Sequence, residues 1–481
     1  MLRAIRNVTD EHLLTALQIA APAVLITLFS AFNSDSVRHT AETRNLKFRF
    51  SSKSLAKGDH LLAARIYDLL RQRYAVAVSC GLSFRLRSLA RAVILNRGLK
   101  LTNQHIAAAN PNKLLDRNVP PASEMIWFMS SLNPVLATPD PVSTTTSQEL
   151  HDIAADLVQG AKNRVETIVQ VRSDPHLCAQ LTVQTANWFE TVVGHHRRLA
   201  RSWTNPPKQL WTGTGGNYLS RHLRAIVRSR GGTVTAYEHG GGGHIHNDLS
   251  AEVVNEHWLC DRFVADTAPK AKIYAKAISN ATSLLENAPE TISAQPGCAA
   301  FDWDQRQHTG EVHRVAYVTT AFVGETCYPI QPLLPDAIYA DWQGRLIEIL
   351  ANLGMTVLVK QHPEGLAKGK PLIMSQHGDY LNGSFDDAIS AADAFVFDYP
   401  ATTTLWEAIC TRKPIVFIDF GLADWNPIVR QHFERRCTIV RGTLDEWNRP
   451  SIESRDLSHA LANQQFDSSF AEAYLTGQPQ P

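Results

Sequence analysis

Two short stretches place donor groups where chemistry on an anion could be done. In VKQHPEG, Val359 to Gly365, the ammonium of Lys360 and the imidazole of His362 follow directly on an apolar run, with Pro363 and Glu364 behind them. Further on, Asp398, Tyr399 and Pro400 close another apolar run, and Thr402, Thr403 and Thr404 open a helix with Glu407 one turn in. An imidazolium, a set of hydroxyls and the free N–H groups of a helix start all donate hydrogen bonds. Together they form a cradle for a departing nucleotide phosphate and can take up its charge without a metal. Taken singly, the threonines also fit ordinary N-capping and His362 a loop cap. Their coincidence at consecutive strand ends is what points to a phosphate.

A second cluster lies earlier, in YEHGGGGHIHND. Four consecutive glycines, Gly240 to Gly243 with Gly241 and Gly242 at their centre, are flanked by Glu238, His239, His244, His246 and Asp248. Glycines let backbone approach a ligand and adopt unusual φ/ψ, and the loop follows the C-terminal end of a strand, where parallel sheets place their ligands. Glu238, His239 or Asp248 is then a candidate base for an attacking hydroxyl; a plain surface loop or a His-rich metal site are the other readings. Just upstream, Gly213, Gly215 and Gly216 precede a helix at about Tyr218 to Ser229. They read as a tight strand-to-helix turn able to present N–H groups to an anion, but they lack the third glycine of a dinucleotide fingerprint.

The elements that must carry these residues are α/β in texture. Lys208 to Asp248 reads strand, glycine turn, amphipathic helix, glycine turn, strand, glycine loop, a βαβ unit. HRVAYVTTAF reads as a strand, Asp336 to Leu353 as a helix and MTVLVKQHP as a strand, and Asp386 to Phe420 adds helix, strand, helix, strand. Near-continuous Val, Ile and Phe runs alternating with helices indicate parallel sheets covered on both faces. The expected fold is two doubly wound domains, 1–290 with a helical insertion from about His151 to Ser202, and 311–481, joined through the polar stretch from Asn287 to Gly310. The proline- and threonine-rich stretch near Pro134 to Ser147 reads as a loop.

Length and composition agree. At 481 residues the chain is about three times a usual single domain. With 47 Lys plus Arg against 46 Asp plus Glu, no global field recruits nucleic acid, although Arg85, Arg87, Arg91 and Arg97 could line one helix face. Seven scattered cysteines without paired spacing suit reduced thiols and a cytoplasmic protein rather than a disulfide framework or zinc site. Leu13 to Phe32 carries no charge, but Pro22 divides it into a helix ending near Ala20 and a strand from Ala23 to Phe29, so a folded domain is expected to begin there rather than a membrane span or signal peptide.

From about Gln209 to Phe420 the motifs resemble a family. The paired Rossmann-like domains and the pattern HPE followed by DYPATTTLWEAICTRKPIVFID resemble GT-B glycosyltransferases of bacterial capsule and lipopolysaccharide synthesis. The His-Pro pair is similar to that of enzymes using CMP-activated acidic sugars, the sialic acid (nonulosonate) and Kdo transferases, and EHGGGGH is similar to the QHGGG stretch of other surface-carbohydrate transferases. The resemblance implies an N-terminal acceptor domain and a C-terminal donor domain facing a cleft. It implies a nucleotide-sugar donor and a glycan or glycoconjugate acceptor, no metal or other cofactor, and a cytoplasmic enzyme with peripheral contact at the inner membrane left open. His362 and Thr402 to Thr404 would hold the nucleotide phosphate, and Lys360 would face the donor carboxylate. The acidic-acidic-glycine motif of many sialyltransferases is missing, because His239 stands between Glu238 and Gly240. A CDP-polyol or UDP-sugar transferase, a UDP-sugar epimerase and a non-catalytic nucleotide-binding scaffold are the alternatives.

Overall fold

The computed structural model describes residues 106–110, 112–119, 125–128, 139–169, 175–202, 206–281, 288–320, 334, 336–362, 377–445, 449–463 and 466–479. The charge-free segment from Leu13, the arginine stripe, Pro363 and Glu364 lie outside them. The chain is α/β and holds two six-stranded sheets among the described residues. No described helix is long and apolar enough to cross a membrane. The five described cysteines, Cys178, Cys260, Cys298, Cys410 and Cys437, are free thiols.

The first sheet comprises β1 (Ile106–Ala109), β2 (Met125–Phe128), β3 (Gln209–Thr212), β4 (Thr233–Tyr237), β5 (Arg262–Ala265) and β6 (Glu290–Ser293), in the order β2-β1-β3-β4-β5-β6. β1 runs parallel to both β2 and β3, and β5 parallel to β6. β6 falls inside the stretch expected to be a polar linker. The region expected as a helical insertion holds two helices, α2 (Thr144–Val169) and α3 (Pro175–Ser202), which pack on each other and follow a short α1 (Lys113–Asn118) in the chain. On α2 the buried Leu150, Ile153, Ala154, Leu157, Val158, Ala161 and Val165 recur three or four residues apart, the stripe of an amphipathic helix. The βαβ unit forms as expected. Its helix α4 (Tyr218–Ser229) starts at Asn217, whose side chain accepts from the N–H groups of Leu219 and Ser220 at 3.0 and 3.2 Å.

The chain divides into two compact units. One unit includes 120–235 and 258–261; the other takes 112–119, 236–257 and 262 onward, so the glycine loop belongs with the C-terminal half.

In this second unit, β7 (Arg314–Val318), β8 (Thr356–Lys360), β9 (Gly378–Leu381), β10 (Ala394–Phe397), β11 (Ile415–Asp419) and β12 (Thr438–Arg441) pair in parallel in the order β12-β11-β10-β7-β8-β9. Counting from β7, this is the doubly wound order 3-2-1-4-5-6, whose topological switch lies between β7 and β10. The four inner strands, β7, β8, β10 and β11, are buried on both faces. Ala316, Val318, Leu358, Phe395, Phe397 and Phe417 pack with residues of α7 (Phe385–Ala391), α8 (Thr403–Ile409) and α9 (Pro427–Arg436). The alternating Val315, Tyr317, Val357, Val359, Val396 and Ile418 pack with α6 (Asp336–Asn352) and α10 (Ser454–Ala462). That alternation is the period of a pleated strand.

A buried cation closes α8. Arg436 is fully buried, and its guanidinium donates to the carbonyls of Ile409, Ala408, Thr411 and Lys413 at 3.1, 3.4, 2.8 and 3.0 Å. These include carbonyls that a helix end leaves without partners. Arg436→Met keeps most of the volume but strips the donors, and is expected to lower the unfolding free energy by roughly 2–3 kcal/mol. Denaturant unfolding checks this; a change below about 0.5 kcal/mol would show that water substitutes for the guanidinium.

Candidate functional site

The C-terminal edge of the second sheet positions the first cluster. Val318 at the end of β7 is opposite Lys360 of β8 on one side and Phe397 of β10 on the other. The ends of β8 and β10 therefore stand two strand spacings apart, about 10 Å. His362 follows β8 by two residues and is half-buried. Lys360 is also half-buried, with Nζ 3.4 Å from the Gln361 carbonyl, and burial draws its pKa below 10.5. The Thr402 to Thr404 turn continues from β10 at the switch point.

Asp398, expected at the donor, is instead an internal anchor. It is buried, and its carboxylate accepts from Tyr317 Oη at 2.5 Å, from Trp342 Nε1 at 2.9 Å and from Tyr339 Oη. Burial raises its pKa against the effect of these hydrogen bonds. The network fixes where β10 ends and α8 begins. Glu407 is likewise engaged, pairing with Lys113 of α1. Thr402 is the N-cap residue but caps no N–H; its hydroxyl lies 2.8 Å from that of Thr404, and Thr403 is exposed. With only seven residues and Arg436 at its far end, α8 offers its hydroxyls rather than a long helix dipole.

The glycine loop meets this turn within the same unit. Gly240 and Gly241 hold φ of +70° and +71°, a region that side chains disfavour. A methyl group on Gly240 would stand 3.6 Å from Thr403 Oγ1, one on Gly241 2.7 Å from Phe301 Cε2, one on Gly242 3.1 Å from Trp406 Nε1, and one on Gly243 2.7 Å from Tyr274 Oη. Close approach of backbone to α8 and its surroundings explains the run of four. The downstream arm is tied to the segment before α9: His246 bridges to Trp425, Asn426 N donates to the Ile245 carbonyl at 2.6 Å, and Asn247 N to that of Asp424 at 3.0 Å.

Beneath the loop lies a buried ionic core that sequence reasoning missed. Lys270 of α5 (Ala268–Asn280) is fully buried, and Nζ donates to Asp266 Oδ2 at 2.8 Å, Gly241 O at 2.9 Å and Glu238 Oε1 at 3.0 Å. Tyr274 Oη donates to the same Glu238 oxygen at 2.8 Å. Burial works against the Lys270 charge, but Asp266 and Glu238 more than offset it and its pKa ends raised. Burial pushes the Glu238 carboxyl up to about 7, Lys270 pulling the other way and Asp266 adding to the rise.

The three candidate bases now separate. Glu238 is spent inside this core. Asp248 is exposed but accepts from Ser250 N at 2.8 Å, and Ser250 holds its carboxyl below the ordinary 3.8. His239 keeps an exposed imidazole beside Gly240. His244 is fully buried against Tyr474, Trp406 and Phe470, ring centroids 5.1, 5.8 and 6.0 Å away. Burial first, and then the Lys270 charge, hold it well below 6.5, so it is neutral. Among the described residues no group of three or more His, Cys, Asp or Glu is arranged to hold a metal ion.

Glu252 completes the core and supplies a test of it. Burial, then Glu256 and Glu238, push its carboxyl from 4.5 to about 8. A carboxyl raised in the fold stabilises fully below its unfolded value, and that contribution is lost as pH climbs through the folded value. Glu252→Gln should therefore melt above the wild type by at least about 3 °C at pH 9, with the margin shrinking toward pH 5. Equal margins at both pH values would remove Glu252 from the core's proton balance.

In the other unit, Gly213 and Gly215 form the β3–α4 turn. Gly213 N donates to the Ala109 carbonyl at 3.1 Å, and Arg221 Nε, on the helix that follows, donates to the Gly215 carbonyl at 2.9 Å. The turn is thus tied to its own helix. No protein-family model and no curated protein sequence matches this chain.

Proposed function

We propose that the chain is a metal-independent glycosyltransferase of GT-B architecture that moves an acidic sugar, a nonulosonate or Kdo, from a CMP-activated donor to a glycan hydroxyl. The observation that carries this reading is the juxtaposition of the Gly240 loop with the Thr402 to Thr404 turn, at the switch point of a doubly wound sheet and on the strand edge that also bears His362. In this reading His362 and the threonine hydroxyls receive the CMP phosphate as the bond to the anomeric carbon breaks. Lys360 adds positive charge for the donor carboxylate. His239 takes the proton of the attacking hydroxyl, since the other two candidates have their carboxylates engaged.

Incubation with CMP-sialic acid or CMP-Kdo and a panel of surface-glycan acceptors tests it. Acceptor-dependent release of CMP supports the reading. Consumption of a UDP-sugar without acceptor, or no consumption of any CMP-sugar, contradicts it.

A further inference from the structure

Trp406 of α8 is fully buried, and its indole Nε1–H has no hydrogen-bond acceptor. Indole donates only, so it can satisfy this group only by meeting an acceptor, and a buried donor left unpaired is costly. The ring is held in place, stacked on Phe470 at 5.9 Å and 11° and tilted against His244 at 5.8 Å. Beside Nε1 is Gly242, half-exposed, and a methyl there would come within 3.1 Å of it. Partly exposed glycine backbone therefore lies next to the orphan donor. The same backbone passes Thr403 Oγ1, whose distance to a methyl on Gly240 would be 3.6 Å. The loop carrying it has two adjacent residues in the left-handed region, Gly240 and Gly241.

We propose that the Trp406 N–H is a ligand-binding donor, reached when the Gly240–Gly242 backbone moves aside and lets an anionic oxygen of the substrate take the place of the missing acceptor. The inference rests on the reading of this edge as the donor site and adds a residue to it. The shared ligand chemistry is a phosphate or carboxylate oxygen. A neutral donor beside the neutral His244 selects for an acceptor without demanding a further charge. Replacement of Gly242 by any other residue puts a side chain over the indole and closes the route.

The test is an NMR titration of the full chain carrying 15N-labelled tryptophan, with the Trp406 indole signal assigned by its loss in Trp406→Phe. Inorganic phosphate, CMP, UDP and free Kdo are the probes. The expected result is that at least one probe shifts the Trp406 N–H signal. That probe should bind Trp406→Phe about tenfold more weakly, while the unliganded variant melts no lower than the wild type. Gly242→Ala should fold and lose the shift. A shift by phosphate or CMP assigns the oxygen to the phosphate, and one by Kdo to the carboxylate. A shift produced by UDP alone upholds the donor role of Trp406 while contradicting the CMP reading. A Trp406 signal that no probe moves, or equal affinity for wild type and Trp406→Phe, overturns the inference.

Discussion

Lys270→Met is expected to cost the fold about 3–5 kcal/mol, measured by denaturant unfolding. The side chains are similar in length, so packing changes little. The variant instead leaves Glu238 and Asp266 facing each other without the ammonium that both use, and deprives the Gly241 carbonyl of its donor. Because Glu238 already sits near 7 in the wild type, protonation offers the variant a way out. The destabilisation should shrink at pH 5 and grow toward pH 8, since the unpaired carboxylates are neutral only on the acid side. A loss below about 1 kcal/mol, or one that does not change with pH, would mean that the glycine loop is held by its backbone bonds to the segment before α9 alone.

The second large effect concerns turnover. His362→Ala should reduce CMP release by roughly 100- to 1,000-fold, the range for removing one donor from developing negative charge. His362 is half-buried and follows a strand rather than filling a core position, so the melting temperature should stay within about 2 °C. Full turnover in a folded His362→Ala would take the residue out of the reaction. A folded variant with unchanged turnover but weaker donor binding would make it a binding group only.

The parts of this architecture that could be read in the sequence are those with local signals. The βαβ unit from Gln209 to Tyr237 shows its helix through amphipathic spacing between two glycine turns, and β7, β8, β10 and β11 show as short apolar runs. β6 did not show, because Glu290 to Ser293 is a half-exposed edge strand inside a polar stretch. Its pairing comes from β5, not from its own composition.

At the site, the glycine run and the threonine turn each carry a local signature. Their partnership with Lys270 and Trp406 carries none, since Lys270 lies 32 residues from Glu238 and Trp406 looks like any core tryptophan on a short helix. Burial changes the meaning of Glu238 and Asp398: an isolated carboxylate reads as a candidate base or ligand contact, whereas these two are enclosed by donors from distant elements. Gly240 to His246 follows β4 in sequence but packs with α5, α8 and the segment before α9, and only tertiary contacts reveal that.

The donor assignment can be examined without knowing the acceptor, by thermal-shift titration of the purified protein with CMP, CDP, UDP, GDP and ADP, repeated for His362→Ala. A ligand that binds the folded state raises the melting temperature in proportion to its occupancy. Selective stabilisation by CMP, lost in His362→Ala, is the expected result. Stabilisation by UDP in preference to CMP, or equal stabilisation of His362→Ala by CMP, would contradict the assignment of this edge as a cytidine-nucleotide site.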